Sequence, residues 1–292
     1  MKRLNLLHAV AVLVIVISVL CCVVPFLTTH ELADKTVVST FGETVTLYGK
    51  GLYARNSFSS AIQAIAQDLV TLVLVLPGMI AALILIRRDK AVGQFLLTGL
   101  FGYMLYTYMS YVFLMYYNDL FLLYVANMTL SFYGLVLSIR TLLASVSVER
   151  IQERMPVKGM RVFLVCSGSA LFLLWIGRII PTIGKDVAPA GLDNCTTLVI
   201  QAMDLGIIVP ACFVISHLLK IKHRLGYILG PVMIVKAVAL VTAVFAMAVY
   251  MKLSGIEVAA AECIIFGGMF ALSFYYFIRV LRQISKSEGD AA

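Results

Sequence analysis

The stretch IQAIAQDLVTLVLVLP, residues 62–77, places an aspartate inside a run of apolar side chains long enough to lie in lipid. A charge at mid-bilayer costs about 2.5–3.5 kcal/mol on insertion scales, so Asp68 needs partners or water there. A related stretch, IQAMDLGIIVP at residues 200–210, again has an acid near its start and a proline at its end. Around both, the 292 residues are 62% hydrophobic and 13% charged, whereas a soluble domain carries about 25% charged residues. The apolar excess is gathered in blocks of about 20 residues, the length that crosses a hydrocarbon core. The chain therefore reads as all-α, a polytopic transmembrane helix bundle in one domain covering residues 1–292. No segment between the blocks reaches the roughly 50 residues of a small independent domain.

Eight spans are expected, near residues 6–28, 60–86, 93–116, 120–143, 161–183, 197–219, 226–250 and 257–280. The first follows MKR and resembles a signal peptide, but its apolar core is too long and no A-x-A site follows, so it reads as a retained anchor. Basic clusters at Lys2/Arg3, Arg87/Arg88/Lys90, Arg150/Arg154/Lys158/Arg161, Lys220/Lys222/Arg224 and Arg279/Arg282/Lys286 all fall on one side. That side holds fifteen Lys and Arg residues, against five opposite: Lys35, Lys50, Arg55, Lys185 and Lys252. The positive-inside rule then places both termini in the cytoplasm of a multi-pass protein of the cell membrane. The net charge of +8 belongs to this pattern and not to nucleic-acid binding. Between spans 1 and 2, alternating Val, Thr and Tyr around Gly42-Glu43 suggest a short outer hairpin, either a lid over a cavity or a connector packed on helix ends. On the inner side, SVSVERIQERMPVKGM reads as an amphipathic surface helix stopped by Pro156.

The two opening stretches share an I-Q-A start, a D-L pair and a deeper proline, Pro77 and Pro210. Gly93 and Gly226 each follow a basic cluster, and LSFY recurs at residues 130 and 272. The offsets are 136, 133 and 142, in one preserved order. They point to a parallel four-plus-four repeat with halves 1–145 and 160–285, an architecture that transporters use.

The polar residues within spans form the candidate ligand or ion site. Gln63, Gln67 and Asp68 stand in span 2 with Thr71 a turn further on, Tyr103 and Tyr106 with Thr107 and Ser110 in span 3, Gln201 and Asp204 in span 6, Lys236 in span 7 and Glu262 in span 8. Spans 2, 3, 6 and 7 are expected to enclose a polar cavity in the outer half of the bilayer, with Lys236 neutralising Asp204 and Asp68 sharing a site with span 6 or 7. Polar contacts of this kind also serve as structural glue in membrane bundles. Arg178, a turn below the outer end of span 5, reads as a boundary residue. Prolines 77, 210 and 231 interrupt spans 2, 6 and 7 and free backbone carbonyls.

No C-x-x-C, H-E-x-x-H, nucleophile–base pair or phosphate-binding glycine loop is present in the sequence, so no catalytic residue, metal or cofactor is assigned. The sequon at Asn194 has meaning only in a secretory-pathway host. The stretches GLYARNSFSSAIQAIAQDLVTLVLVLP, GYMLYTYMSYVF with YNDLFLLYVA, and QAMDLGIIVPACF with VKAVALVTAVFAMAV resemble an uncharacterised family of prokaryotic polytopic, roughly eight-span integral membrane proteins. The resemblance covers most of the chain; it implies topology and carries no activity. Two readings follow: a small-solute or ion translocator, or an intramembrane lipid- or quinone-binding or sensory protein without transport. A lipid-modifying enzyme ranks third. The partners expected are the bilayer and a small-molecule or ion ligand.

Overall fold

The computed structural model describes residues 2–257 and 260–289 of the chain. Helix α1 covers Lys2–Leu27, and an antiparallel strand pair follows, β1 Thr36–Val38 and β2 Thr44–Thr46. Next come α2 Phe58–Val70, α3 Leu76–Arg87, α4 Ala91–Phe113, α5 Phe121–Ser145, α6 Val148–Gln152 and α7 Val157–Ile179. The chain ends with α8 Val199–Met203, α9 Val209–Lys220, α10 Arg224–Leu253 and α11 Ala260–Gly289. Among the described residues, seven helical segments are long and apolar enough to cross a membrane, the pattern of a multi-pass helix bundle. Helix α4 has the length, 23 residues, but is less apolar, because tyrosines, threonines and glycines line it. Those residues face inward: α4 packs on α3, α5 and α10 and is the most enclosed of the long helices.

The opening stretch is one continuous helical segment with a π turn inside it. Ser57 caps α2 by accepting the Ser60 amide at 3.1 Å, satisfying one of the open donors of the first turn. Pro77 then brings no N–H, and its ring crowds the carbonyl of residue 73. The chain relieves this by widening into a π turn over Thr71–Val75 before α3 begins. The second stretch does the same, with a π turn over Asp204–Ile208 and Pro210 as the second residue of α9. Both following helices have 12 residues. Each ends in a turn through the left-handed region, at Asp89 (φ 56°) and Lys222 (φ 54°). Gly93 and Gly226 then let α4 and α10 fold back tightly. A Cβ at Gly93 would lie 2.7 Å from the Leu85 Cβ and 2.8 Å from the Ile86 nitrogen; at Gly226 it would lie 2.7 Å from the Leu219 nitrogen.

From π turn to returning helix, every boundary in the second stretch stands 133 residues after its counterpart. The acids are not counterparts in this register. Asp68 corresponds to Gln201, Asp204 to Thr71, and Lys236 to Tyr103. The D-L match at offset 136 is shifted by three residues, close to one helical turn, which keeps both acids near the same face while changing their level. Helices α4 and α10 cross where Gly99 meets Val235, a Cβ there falling 2.4 Å from the valine Cβ.

The two ends of the bundle differ. One gathers the strand pair and the loops 114–119 and 183–198, tied by Ser57 to Asp193 (2.6 Å), Asn194 to the Arg55 carbonyl (3.1 Å) and the Tyr116 amide to Asn56 (2.8 Å). The other gathers the basic turns: Arg224 donates to the Leu143 carbonyl, and a cavity of about 310 Å³ is lined there by Asp89, Gln94, Ser145 and Arg150. The surface helix expected between spans 4 and 5 is one short turn, α6, and Pro156 caps α7. All six cysteines are free.

Candidate functional site

Helix α4 presents side chains to both acids, Tyr111 to Asp68 and Tyr106 to Asp204. Tyr103, Thr107 and Tyr111, spaced four apart, look towards α2. Gly99, Gly102 and Tyr106 look towards α10 and the second π turn. The residues expected to line one outer cavity between spans 2, 3, 6 and 7 fall into two hydrogen-bonded clusters, both reached from α4, on which Tyr103 and Tyr106 stand one turn apart.

The first cluster surrounds Asp68, which is 1% exposed. Its carboxylate accepts from the Tyr53 hydroxyl at 2.7 Å and the Tyr111 hydroxyl at 2.8 Å, with the Cys22 thiol beside it. Tyr53 comes from the loop after the strand pair, and burial pushes its hydroxyl well above the usual tyrosine range, so it remains a donor. That loop is thus more than a connector on helix ends: it sends an aromatic side chain into the bundle while the strand pair stays exposed. Tyr111 is held in turn by edge contacts with Tyr108 and Tyr124, at 5.8 and 5.2 Å between ring centroids. Below Asp68, Gln67 donates to Thr107 at 2.6 Å and Thr71 pairs with Tyr103 at 3.0 Å. Among the described residues no ion pair reaches Asp68; its partners are hydroxyls and a thiol. The expectation that it shares a site with span 6 or 7 is corrected: its partners come from α1, α4 and the Tyr53 loop.

The second cluster surrounds Asp204, 5% exposed, at the start of the second π turn. Tyr106 donates to one oxygen at 2.9 Å and the Trp175 indole N–H to the other at 2.8 Å. Lys236 does not pair with it. The ammonium, on a side chain 5% exposed, lies over the Tyr106 ring at 4.5 Å from the centroid and has no hydrogen-bond acceptor among the described residues. Tyr106 thus stands between acid and amine, its hydroxyl on one and its ring on the other. Arg178 lies over the far aromatic, Trp175, at 5.5 Å.

Of the other predicted site residues, Gln63 donates to Ser59 one turn back and stays outside the first cluster. Gln201 is half-buried and belongs to neither cluster among the described residues. Glu262 stands on α11, and its side chain lies outside the described residues. Trp175, Tyr53 and Tyr111 were not read from the sequence. Trp175 had a signal: with Arg178 it forms an i, i+3 polar pair on span 5. Tyr53 had none, since an aromatic in a loop does not reveal that it inserts. Among the described residues no group of three or more His, Cys, Asp or Glu is placed to hold a metal. No known protein family, characterised protein or solved structure matches the chain.

Proposed function

We propose that the protein is a small-solute or ion translocator of the cell membrane, built from eight spans as two parallel four-span halves in a register of 133 residues. Both termini and the basic turns face the cytoplasm, and the strand pair faces outward. At 1.5 Å per residue Asp68 stands about 29 Å above the basic end of α3, and Asp204 about 24 Å above that of α9. Both acids then lie in the outer half of the bilayer. The observation that carries the reading is the pair of helices, each with a π turn and proline at matched positions and a buried carboxylate at or just above that turn. A π turn inside a helix frequently marks a functional site, and transporters place substrate and coupling ions at interrupted helices in corresponding positions of their repeats. A carboxylate ringed only by hydroxyl and thiol donors is suited to exchanging a proton or a cation, because no resident ammonium or guanidinium holds its charge.

Topology is tested by labelling. Single cysteines at Lys50 and Lys185 label from outside, and a reporter fused after Ala292 reads cytoplasmic; cytoplasmic labelling at both loops contradicts the arrangement. Function is tested in proteoliposomes carrying an internal pH dye, screened for solute-driven proton movement. Wild type shows flux with at least one solute class, and Asp68→Asn lowers it at least tenfold. A ligand retained in native mass spectrometry with no flux would instead make the protein an intramembrane binding or sensory protein.

A further inference from the structure

Lys236 presents an unsolved electrostatic problem within the fold. Its ammonium carries three donors, is enclosed between α4, α9 and α10, and meets no acceptor among the described residues. An unpaired charge in a low-dielectric interior costs several kcal/mol, so a native structure keeps one only where something supplies the missing partner. Asp204 acts on the amine as a charge but makes no hydrogen bond to it, its donors being Tyr106 and Trp175. The Tyr106 ring shields one side of the amine and offers a weak cation–π contact in place of a hydrogen bond. Gly102 adds only an α-hydrogen on the α4 side: even a Cβ there would lie 3.5 Å from the lysine Cγ.

From this geometry we infer that Lys236 is the seat of a small monovalent anion, of the carboxylate or halide class, which binds together with a proton carried by Asp204. The inference rests on reading the second cluster as a ligand site of the translocator, and it names the substrate class. The proton follows from repulsion: an ionised Asp204 beside the amine disfavours a second negative charge, so the anion binds more tightly once that carboxylate takes up a proton. The other groups facing the pair are Tyr106 from α4, Trp175 and Arg178 from α7 and Cys212 from α9. Arg178 lies over Trp175, adding positive potential, and Tyr106 and Trp175 are the donors that hold Asp204.

Trp175 is the chain's single tryptophan and touches Asp204, so its emission reports on this cluster alone. Purified full-length protein in detergent is titrated with sodium acetate and with sodium chloride against gluconate at constant ionic strength, between pH 5 and 8. A saturable change in emission is expected with at least one of the two. Apparent affinity should fall by about tenfold per pH unit on the alkaline side, as one linked proton requires. Lys236→Met removes the saturable change, with a melting temperature within a few degrees of wild type to show that the fold is intact. Asp204→Asn flattens the pH dependence. No saturable response in the wild type, the outcome if water alone satisfies the amine, overturns the inference, as does a Lys236→Met variant that responds as wild type. Asp68-dependent flux without an anion response sinks the inference and leaves the translocator standing. An anion response without flux does the reverse.

Discussion

The two buried acids lie on similar helices with a π turn and are stabilised in opposite ways. Asp68 is enclosed by neutral donors, with Tyr53 and Tyr111 on its oxygens and no cation in contact. Asp204 has a lysine in its neighbourhood, yet its oxygens are held by Tyr106 and Trp175. In the register of 133 residues the charged positions Asp204 and Lys236 correspond to Thr71 and Tyr103, a neutral pair joined by a hydrogen bond of 3.0 Å. The same order of π turn, proline and helix thus carries a neutral contact in one stretch and a separated charge pair in the other. A π turn in a helix sets where polar groups can stand, and the side chains on either side of it set what they can carry.

The scaffold itself is where substitution should do most harm. Gly93→Leu and Gly226→Leu each force a side chain into the backbone of the preceding helix, and each should cost about 3 kcal/mol. Unfolding in mixed micelles should give similar losses for the two, because the close approach is the same in both stretches; a large loss at one and none at the other breaks the comparison. The next largest effect concerns the donors. Tyr111→Phe removes a hydrogen bond to Asp68 and Trp175→Phe one to Asp204, each expected to cost about 2 kcal/mol as bonds to a charged group.

A smaller effect separates the clusters most sharply. Had Lys236 been ion-paired with Asp204, Lys236→Met would cost about 3–5 kcal/mol. With the amine making no hydrogen bond, its removal should cost no stability, and a double-mutant cycle with Asp204→Asn should show only a through-space coupling of about 1 kcal/mol. A coupling of several kcal/mol would restore the ion pair. Gln63→Ala and Gln201→Ala, outside both clusters, should each change stability by less than about 0.5 kcal/mol.

Much of the scaffold could be read from residue order alone. Apolar block length located the long helices, and Pro77 and Pro210 marked where two of them are interrupted. The clustering of Arg and Lys anticipated a basic end, which the contacts of Arg224 and the cavity beside Arg150 assemble. The π turns were not legible, because a proline announces a broken ladder without saying how the chain widens around it. The register was misplaced for the acids because two Asp-Leu pairs are a stronger match to the eye than a proline and a glycine, although the backbone follows the latter. The division into two clusters depends on which neighbours, far away in sequence, each α4 tyrosine meets, and that is a property of packing. Asp68 was legible as a residue needing partners; that one of them is Tyr53, from outside the spans, was not.

On the translocator reading proposed above, the Asp68 cluster, sealed in this structure, opens to the outside during the transport cycle. Cys22 lies beside Asp68 and is buried, so its thiol reports that opening. The measurement is the labelling rate of a variant retaining Cys22 as its sole cysteine, in proteoliposomes, by a membrane-impermeant maleimide added outside, with and without an imposed proton gradient. The account predicts slow labelling at rest and at least tenfold faster labelling under the gradient. A rate that stays slow and unchanged in both conditions, with transport intact, would contradict it.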